Sequence, residues 1–187
     1  MKTSQKGIEF ITSFEGCKLE AYQDSGGVWT IGYGHTKDVQ PGQVITKQQA
    51  QLYLIDDLAN MEKYVYLYDK YYHFTQDQFD ALVSFCYNCG PGNLHKLLDG
   101  GNKPIEVVKQ DLPKTCIKAK GQILNGLIRR RKAEAELMGN CQQDLDLVVA
   151  DVIAGLWGNG EARKRKLTDA GYDYKQIQEL VNRRLNK

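Results

Sequence analysis

The sequence predicts an α+β fold, in which a mainly helical domain with one small antiparallel sheet precedes a three-helix bundle. Apolar residues recur at helical spacing through most of the 187-residue chain. Residues 18–35 differ, because two short β-prone runs flank a glycine-containing turn there. After Met138, a polar stretch that starts with glycine separates a second group of helical segments. We therefore place the domains at residues 1–139 and 143–187.

The first predicted helix starts after Ser4, a residue type that caps helix N-termini, and ends at Gly16. Ile8, Ile11 and Glu15 are spaced so that they share one face of this helix. That face should pack against the core. Glu15 would then be a carboxylate on an apolar face, at the end of the helix where the backbone dipole is negative.

A hairpin and a long helix are predicted next. Asp24–Gly27 is a turn signal between the runs LEAYQ and VWTIGYGHT, which predicts two antiparallel strands. Thr46 and Gln49 form a capping-box pattern at the start of a long helix. The predicted buried face of that helix carries Leu52, Ile55 and Ala59. Further helices are expected near residues 76–89, 93–99, 104–111 and 126–138.

The second unit contains three short amphipathic segments. The first keeps helical spacing until Trp157–Gly160 interrupts it, with the apolar residues Leu145, Val149, Val152 and Leu156. A basic helix, EARKRKLTDA, then ends at Gly171. Asp173 can cap a third helix, whose apolar stripe consists of Ile177, Leu180, Val181 and Leu185. Three such segments predict a small bundle.

Composition and charge exclude several classes of protein. Lys plus Arg number 25 and Asp plus Glu 23, so the net charge is only +2, and we expect no nucleic-acid partner. Hydrophobic residues make up 42% of the chain, too many for a disordered protein. Apolar runs are far shorter than the roughly 18–20 residues of a membrane span, and the first residues lack the apolar core of a secretion signal. We expect a soluble protein without stable membrane insertion, made in the cytosol without a signal peptide.

The number and spacing of the cysteines do not require a disulfide framework or a metal site. There are five, an odd number, and a chain of this length buries a core without disulfides. Cys86 and Cys89 form a C-x-x-C pair within an apolar stretch, so we interpret them as buried helix cysteines, with a functional thiol pair as the alternative. Because no H-E-x-x-H or comparable ligand spacing is present, we expect no metal and no cofactor.

Two carboxylates carry the most informative chemical signal. Burial and the helix dipole should both raise the pKa of Glu15, whereas Asp24, in a polar turn, should stay ionised. Glycoside hydrolysis requires such a pair, in which one carboxyl group donates a proton and the other acts from the opposite face of the sugar. From spacing alone, both residues also fit ordinary structural roles, Glu15 as a residue at the end of a helix and Asp24 as a turn residue.

Other polar residues have structural interpretations. His35 has no partner nearby in the sequence and is interpreted as a structural, hydrogen-bonding histidine. The basic run Arg129–Arg131 is interpreted as solvated or paired with Glu134, three or four residues further along the helix. The alternative is that this basic run binds an anionic polymer.

The sequence around the two carboxylates resembles the phage-type lysozymes of glycoside hydrolase family 24. Three runs carry the resemblance: Phe14-Glu15-Gly16, Ala21-Tyr22-Gln23-Asp24 and Trp29-Thr30-Ile31-Gly32-Tyr33-Gly34-His35-Thr36. The family's pattern of Glu, eight residues, Asp, five residues and Thr is met without a gap. The resemblance to the family continues at residues 81–90 and 126–134, so it covers about residues 4–138.

This resemblance implies a role for each member of the trio. Glu15 would be the general acid, Asp24 the second carboxylate, and Thr30 would hold the attacking water together with Asp24. The implied reaction is hydrolysis, with inversion, of the β-1,4 bond between N-acetylmuramic acid and N-acetylglucosamine in peptidoglycan. The chain departs from the family at Cys116, where relatives often have an aromatic residue, and at Asn125, where many have proline.

The second unit resembles the short cell-wall-binding repeat first noted in a pneumococcal phage lysozyme. The match runs from about residue 143 to 185 and includes Leu145-Asp146, Trp157-Gly158-Asn159-Gly160 and Ala170-Gly171-Tyr172-Asp173. Such repeats recognise muropeptide. Candidate binding residues are Trp157, Gly158, Asn159 and Arg163, since an indole can stack on a sugar and a guanidinium can bind a peptide carboxylate. The alternative is that Trp157 fills the bundle core and Arg163 caps a neighbouring helix.

Together these resemblances predict a monomeric phage or prophage endolysin that binds and cleaves peptidoglycan, through its glycan strand and muropeptide. It would be made in the host cytoplasm and act on the wall after release by another factor. A lytic transglycosylase is the first alternative, since it cleaves the same bond without an attacking water. The second is a wall-binding protein whose lysozyme-like domain no longer cleaves.

Overall fold

The computed structural model describes residues 1–24, 26–119, 121–139, 148–169 and 172–186. The first 139 residues are mainly helical, with helices α1 (Gln5–Phe14), α2 (Lys47–Tyr66), α3 (Asp69–Tyr72), α4 (Gln76–Cys89), α5 (Pro91–Leu98), α6 (Ile105–Asp111) and α7 (Asn125–Leu137). Strands β1 (Lys18–Gln23) and β2 (Trp29–Gly32) form one antiparallel hairpin, and β3 (Lys118–Ala119) and β4 (Gln122–Ile123) form another. The predicted α+β class is confirmed, whereas α3 and the second hairpin were not predicted.

Helix α1 begins as predicted and ends earlier than predicted. The Ser4 hydroxyl accepts a hydrogen bond from the Gly7 amide at 3.1 Å, which caps the N-terminus. The prediction that Gly16 ends the helix is wrong. The last helical residue is Phe14, and Glu15 follows in an extended conformation (φ −98°, ψ 135°) because the chain must turn into β1. Glu15 therefore lies at a corner between a helix and a strand.

The start of α1 is fixed by a buried carboxylate on α4. Asp80 accepts hydrogen bonds from the Ser4 amide at 3.0 Å, from the Ser4 hydroxyl and from Gln76 Nε2 at 2.8 Å. Gly7 leaves room for Asp80, because a Cβ there would lie 2.6 Å from its Cγ. The N-terminus of α1, the helix that leads to Glu15, is thus anchored by polar contacts.

Helix α2 has the predicted capping box but a different buried face. The Gln49 amide donates to the Thr46 hydroxyl at 3.2 Å, and the Thr46 amide donates to Gln49 Oε1 at 2.8 Å. The predicted buried face is wrong, since Leu52 and Ile55 are 61% and 48% exposed and Ala59 is exposed too. The core face carries Ala50, Leu54, Leu58 and Val65. Both sets have helical spacing, so periodicity alone could not choose between them.

Helix α4 is the centre of the first core. Every residue from Gln78 to Cys86 is buried, and the helix packs against α1, α2, α5 and α7. It ends at Gly90, whose φ of +79° lies in a region that glycine adopts much more readily than other residues do. A smaller apolar cluster under the first hairpin contains Ile31, Val39, Ile45 and Ala50.

The C-terminal residues have a core of their own. Helix α8, seen over 148–153, joins α9 (Gly160–Asp169) and α10 (Tyr174–Leu185), and they share the buried residues Val148, Val149, Val152, Leu167, Ile177 and Val181. Asp173 caps α10 as predicted. Leu156 and Leu185, predicted to be in the apolar stripes, are 70% and 64% exposed.

Some predictions concern residues that lie outside the described ranges. Leu145, Gly171 and the proposed boundary at 140–142 are among them, so the division into domains 1–139 and 143–187 stays a prediction. Across the described ranges, no helix has the length and apolar character needed to cross a bilayer. Within the same ranges, His, Cys, Asp and Glu side chains form no group of three placed to hold a metal ion.

We predict that Gly7→Ala lowers the free energy of unfolding by about 1–3 kcal/mol, because the new methyl group overlaps the hydrogen-bonded Asp80 side chain. Urea denaturation measures the change. Gly126→Ala is the matched control, since it lies in helix α7 with no atom within 4 Å of its added Cβ. It should leave stability unchanged or raise it by up to about 1 kcal/mol. Equal effects of the two substitutions would contradict the predicted overlap.

Candidate active site

A groove of about 580 Å³ lies between the first hairpin and helices α2 and α4. It receives the three residues that the sequence singled out, Glu15, Asp24 and Thr30. Its remaining lining consists of Tyr22, Tyr33, Gly34, Thr36, Lys37, Asp57, Asn60, Met61, Tyr87 and Asn88. The hairpin brings the trio together, since Glu15 precedes β1, Asp24 follows β1 and Thr30 lies on β2.

Glu15 is partly buried and paired with a cation. Its side chain is 23% exposed, and Oε1 accepts a hydrogen bond from Arg130 Nη1 at 2.6 Å. The partial burial agrees with the sequence prediction, but the arginine partner was not predicted. Arg130 lies 115 positions away in the chain, and no local pattern connects the two residues.

Arg130 is itself held by a buried polar cluster. Its side chain is 4% exposed, and Nε donates to Glu134 Oε1 at 3.2 Å. The same Glu134 oxygen accepts from the Ser84 hydroxyl at 2.7 Å and from Arg131 Nη2 at 2.8 Å. The predicted pairing of the basic run with Glu134 is confirmed, whereas the solvated alternative holds for Arg129 but is wrong for Arg130 and Arg131. Three side chains, Ser84 on α4 and Arg131 and Glu134 on α7, thus form the cluster that fixes the guanidinium that binds Glu15.

Asp24 is exposed and oriented by backbone amides. Its Oδ1 accepts hydrogen bonds from the amides of Gly26 at 2.8 Å and Val28 at 2.9 Å. These contacts confirm the predicted polar turn. Both amides bind the same oxygen, so among the described residues Oδ2 is the oxygen placed to bind a water or substrate atom.

Thr30 is buried at the base of the hairpin, opposite Tyr22 on the neighbouring strand. Its hydroxyl donates to the Val28 carbonyl at 3.0 Å. A hydroxyl whose proton is used in this way can still accept a hydrogen bond through its oxygen. Thr30 is therefore suited to accept a hydrogen bond from a water in the groove.

Further groove residues were missed because their partners are distant in sequence. Asp57 binds Nδ1 of His35 at 2.9 Å, and the His35 ring stacks on Tyr53 with centroids 4.4 Å apart. The structural interpretation of His35 is thereby supported. Tyr87 donates its hydroxyl to the Tyr33 carbonyl at 2.7 Å. Burial raises the pKa of Tyr87, so this hydroxyl stays protonated and continues to donate.

The four candidate residues of the C-terminal unit also lie together. Arg163 Nε donates to the Gly158 carbonyl and Nη2 to Asn159 Oδ1, each at 2.8 Å. Trp157 packs against the small core and meets Tyr172 edge-on, with ring centroids 5.9 Å apart. The packing of Trp157 is that of the structural alternative, whereas Arg163 binds the turn before its own helix and does not cap a neighbouring one.

Comparison with known proteins agrees with this site. The phage lysozyme family model matches residues 12–134, which include the trio and the Arg130–Glu134 cluster. The chain belongs to the phage lysozyme family. Its C-terminal residues 146–185 match the CW_7 repeat.

Relatives of this phage lysozyme family member include two phage endolysins. One, from Acyrthosiphon pisum secondary endosymbiont phage 1, is 37% identical over 145 residues, which cover 73% of this chain and 97% of the relative. The endolysin of Lactococcus phage c2 is 35% identical over 181 residues, covering 90% of this chain and 77% of the relative.

Two solved structures resemble it closely. The muramidase domain of SpmX from Asticaccaulis excentricus has a TM-score of 0.67 at 36% identity, covering 74% of this chain and 98% of that domain. The endolysin from Escherichia coli O157:H7 phage FAHEc1 has a TM-score of 0.62, also at 36% identity, covering 75% and 94%.

We predict that Arg130→Met lowers wall-degrading activity by roughly 10²-fold, because Glu15 loses the contact that fixes its side chain. It should also cost about 3–5 kcal/mol of stability, since Glu134 is left in the interior with one partner fewer. Circular dichroism establishes the folded fraction before activity is measured by turbidity loss.

Lys132→Met removes an exposed charge from the same helix and serves as the control. It should retain activity and stability. Full activity of a folded Arg130→Met variant would show that this arginine does not position Glu15.

Proposed function

We propose that this protein is a peptidoglycan muramidase that hydrolyses the β-1,4 bond between N-acetylmuramic acid and N-acetylglucosamine and so causes bacterial lysis. The observation that carries the proposal is the meeting of Glu15, Asp24 and Thr30 in one groove of a phage lysozyme family member. The endolysin relatives and the muramidase domain of SpmX support the same substrate.

In this proposal Glu15 is the general acid. Arg130 binds Oε1, so the other carboxyl oxygen is the one that presents a proton to the groove. Transfer of this proton to the glycosidic oxygen allows the bond between that oxygen and the anomeric carbon to break. Arg130 then also stabilises the carboxylate that remains on Glu15.

Asp24 and Thr30 would supply the water in an inverting reaction. Asp24 takes a proton from the water as the water oxygen bonds to the anomeric carbon, and Thr30 accepts the water's second hydrogen bond. Inverting glycosidases hold their carboxyl groups about 6.5–9.5 Å apart so that this water fits. The free Oδ2 of Asp24 and the buried Thr30 oxygen support this arrangement.

The rest of the groove suits an amino-sugar polymer. Asn60, Asn88 and Asp57 offer amide and carboxylate groups that can hydrogen-bond sugar hydroxyls and N-acetyl groups. Asn88 is held in place, since its Oδ1 accepts from Arg131 Nη2 at 3.1 Å.

The C-terminal unit would bind the wall and concentrate the enzyme there. Its match to the CW_7 repeat supports muropeptide as the ligand, and one tethered module raises local concentration without new catalytic contacts. We propose a monomer that reaches the wall of its bacterial host after release by another factor. Synthesis in the host cytoplasm without a signal peptide stays a prediction from the sequence.

Glu15→Gln should lower turnover by several orders of magnitude, because the amide cannot donate the required proton, while binding to walls is retained. Glu9→Gln, an exposed change on helix α1, which Glu15 follows, is the control and should remain active. Sugar ends are analysed by mass spectrometry and the new anomer by NMR. An anhydro end would indicate a transglycosylase, a retained anomer would contradict inversion, and unchanged turnover would eliminate Glu15 as the acid.

Removing residues 143–187 should lower lysis of intact walls by tenfold or more and leave turnover of soluble glycan fragments within about twofold, since only tethering is lost. The two substrates are compared at equal enzyme concentration. Equal loss on both would show that the C-terminal unit contributes to the groove itself and not to targeting.

A further inference from the structure

Asn88, in the last turn of α4, has a side-chain amide whose orientation in the groove is fixed. It is an exposed residue of the groove lining, and its Oδ1 accepts a hydrogen bond from Arg131 Nη2 at 3.1 Å. A guanidinium has only donors, so the Asn88 atom that faces it must be the carbonyl oxygen. The amide nitrogen, Nδ2, is therefore the end that is directed away from Arg131.

Arg131 is held in this position by partners at both of its terminal nitrogens. Its side chain is fully buried, and Nη2 also donates to Glu134 Oε1 at 2.8 Å. Nη1 donates to Cys89 Sγ at 2.6 Å. Of the two cysteines interpreted as buried helix residues, Cys86 is buried and Cys89 is half-buried. The sulfur of Cys89 thus helps to fix the guanidinium that orients Asn88.

The second asparagine of the groove lining, Asn60, uses its amide differently. Its Nδ2 donates to the Asp56 carbonyl at 3.4 Å, and its Oδ1 accepts from Lys63 Nζ at 3.1 Å. Both partners lie on α2, the helix that carries Asn60 itself. Among the lining residues, all of which belong to the described part of the chain, Asn88 is therefore the amide whose N–H groups are left for a ligand.

We propose that Asn88 determines specificity by donating a hydrogen bond from Nδ2 to the acetamido carbonyl oxygen of a bound amino sugar, with Arg131 as its positioning residue. This inference rests on the muramidase function proposed above. A carbonyl oxygen accepts hydrogen bonds, whereas a de-N-acetylated sugar carries a protonated amine that only donates. Two donors that face each other leave both groups without a partner, which costs free energy. The groove should therefore select N-acetylated glycan.

Asn88→Asp tests the direction of this hydrogen bond and keeps the contact that orients it. The new carboxylate can still accept from Arg131, so the variant should fold, but the group that faces the groove becomes an acceptor. On soluble N-acetylated glycan fragments, kcat/KM should fall by about 10–100-fold. On chemically de-N-acetylated fragments, assayed where the sugar amine is protonated, kcat/KM should stay the same or rise, because the carboxylate can bind the ammonium group.

Arg131→Lys tests the positioning role. Lysine keeps the charge but lacks the planar fork that binds Asn88, Cys89 and Glu134 together. The Asn88 amide can then turn and offer either end to the groove, so the ratio of kcat/KM for N-acetylated over de-N-acetylated fragments should fall. Circular dichroism establishes that each variant is folded. An unchanged ratio in folded Arg131→Lys would show that Arg131 does not orient Asn88.

Gln51→Glu is the matched control, because it makes the same amide-to-carboxylate change at an exposed position of α2 outside the groove lining. Its ratio should equal that of the wild type. Fragments that are N-acetylated again should recover wild-type cleavage. An equal loss on both kinds of fragment, or no loss, in Asn88→Asp would overturn this inference alone. A wild-type protein that cleaves neither kind would overturn the muramidase function on which it rests.

Discussion

The ion pair between Glu15 and Arg130 joins the end of α1 to α7 at the point where the groove is built. Its cost is the removal of charged groups from water, which amounts to several kcal/mol per ion in a protein interior. Hydrogen bonds that Ser84, Arg130 and Arg131 donate to Glu134 Oε1 offset part of that cost. Because these side chains come from α4 and α7, the end of α1 is positioned by packing that lies outside the hairpin.

Local chemistry was readable from the sequence, and the contacts between distant segments were not. Capping by Ser4 and Thr46, the hairpin and most helix positions depend on neighbouring residues, so residue type and spacing predict them. Arg130 and Glu15 are far apart in sequence, and no local pattern relates them. For α2, two apolar stripes compete, and only the packing of α4 decides that Leu54 faces inward and Leu52 outward.

The candidate binding residues of the C-terminal unit show that residue type alone is a poor guide to a binding role. Trp157 and Arg163 are aromatic and basic, which are also the properties that sugar and peptide recognition require. In the structure they complete a small core and brace a tight turn. A residue type therefore does not separate recognition from folding in so small a unit.

Anchoring at the other end of α1 has a practical consequence for anyone who modifies this chain. The Thr3 amide and hydroxyl both bind Glu62 at 2.7 Å, and the Lys2 carbonyl accepts from Gln76. Fusion partners and affinity tags placed directly before these residues would compete for the same space. Trimming by an aminopeptidase would remove the Thr3–Glu62 contacts before it reached Ser4, and trimming past Ser4 would remove the cap of α1.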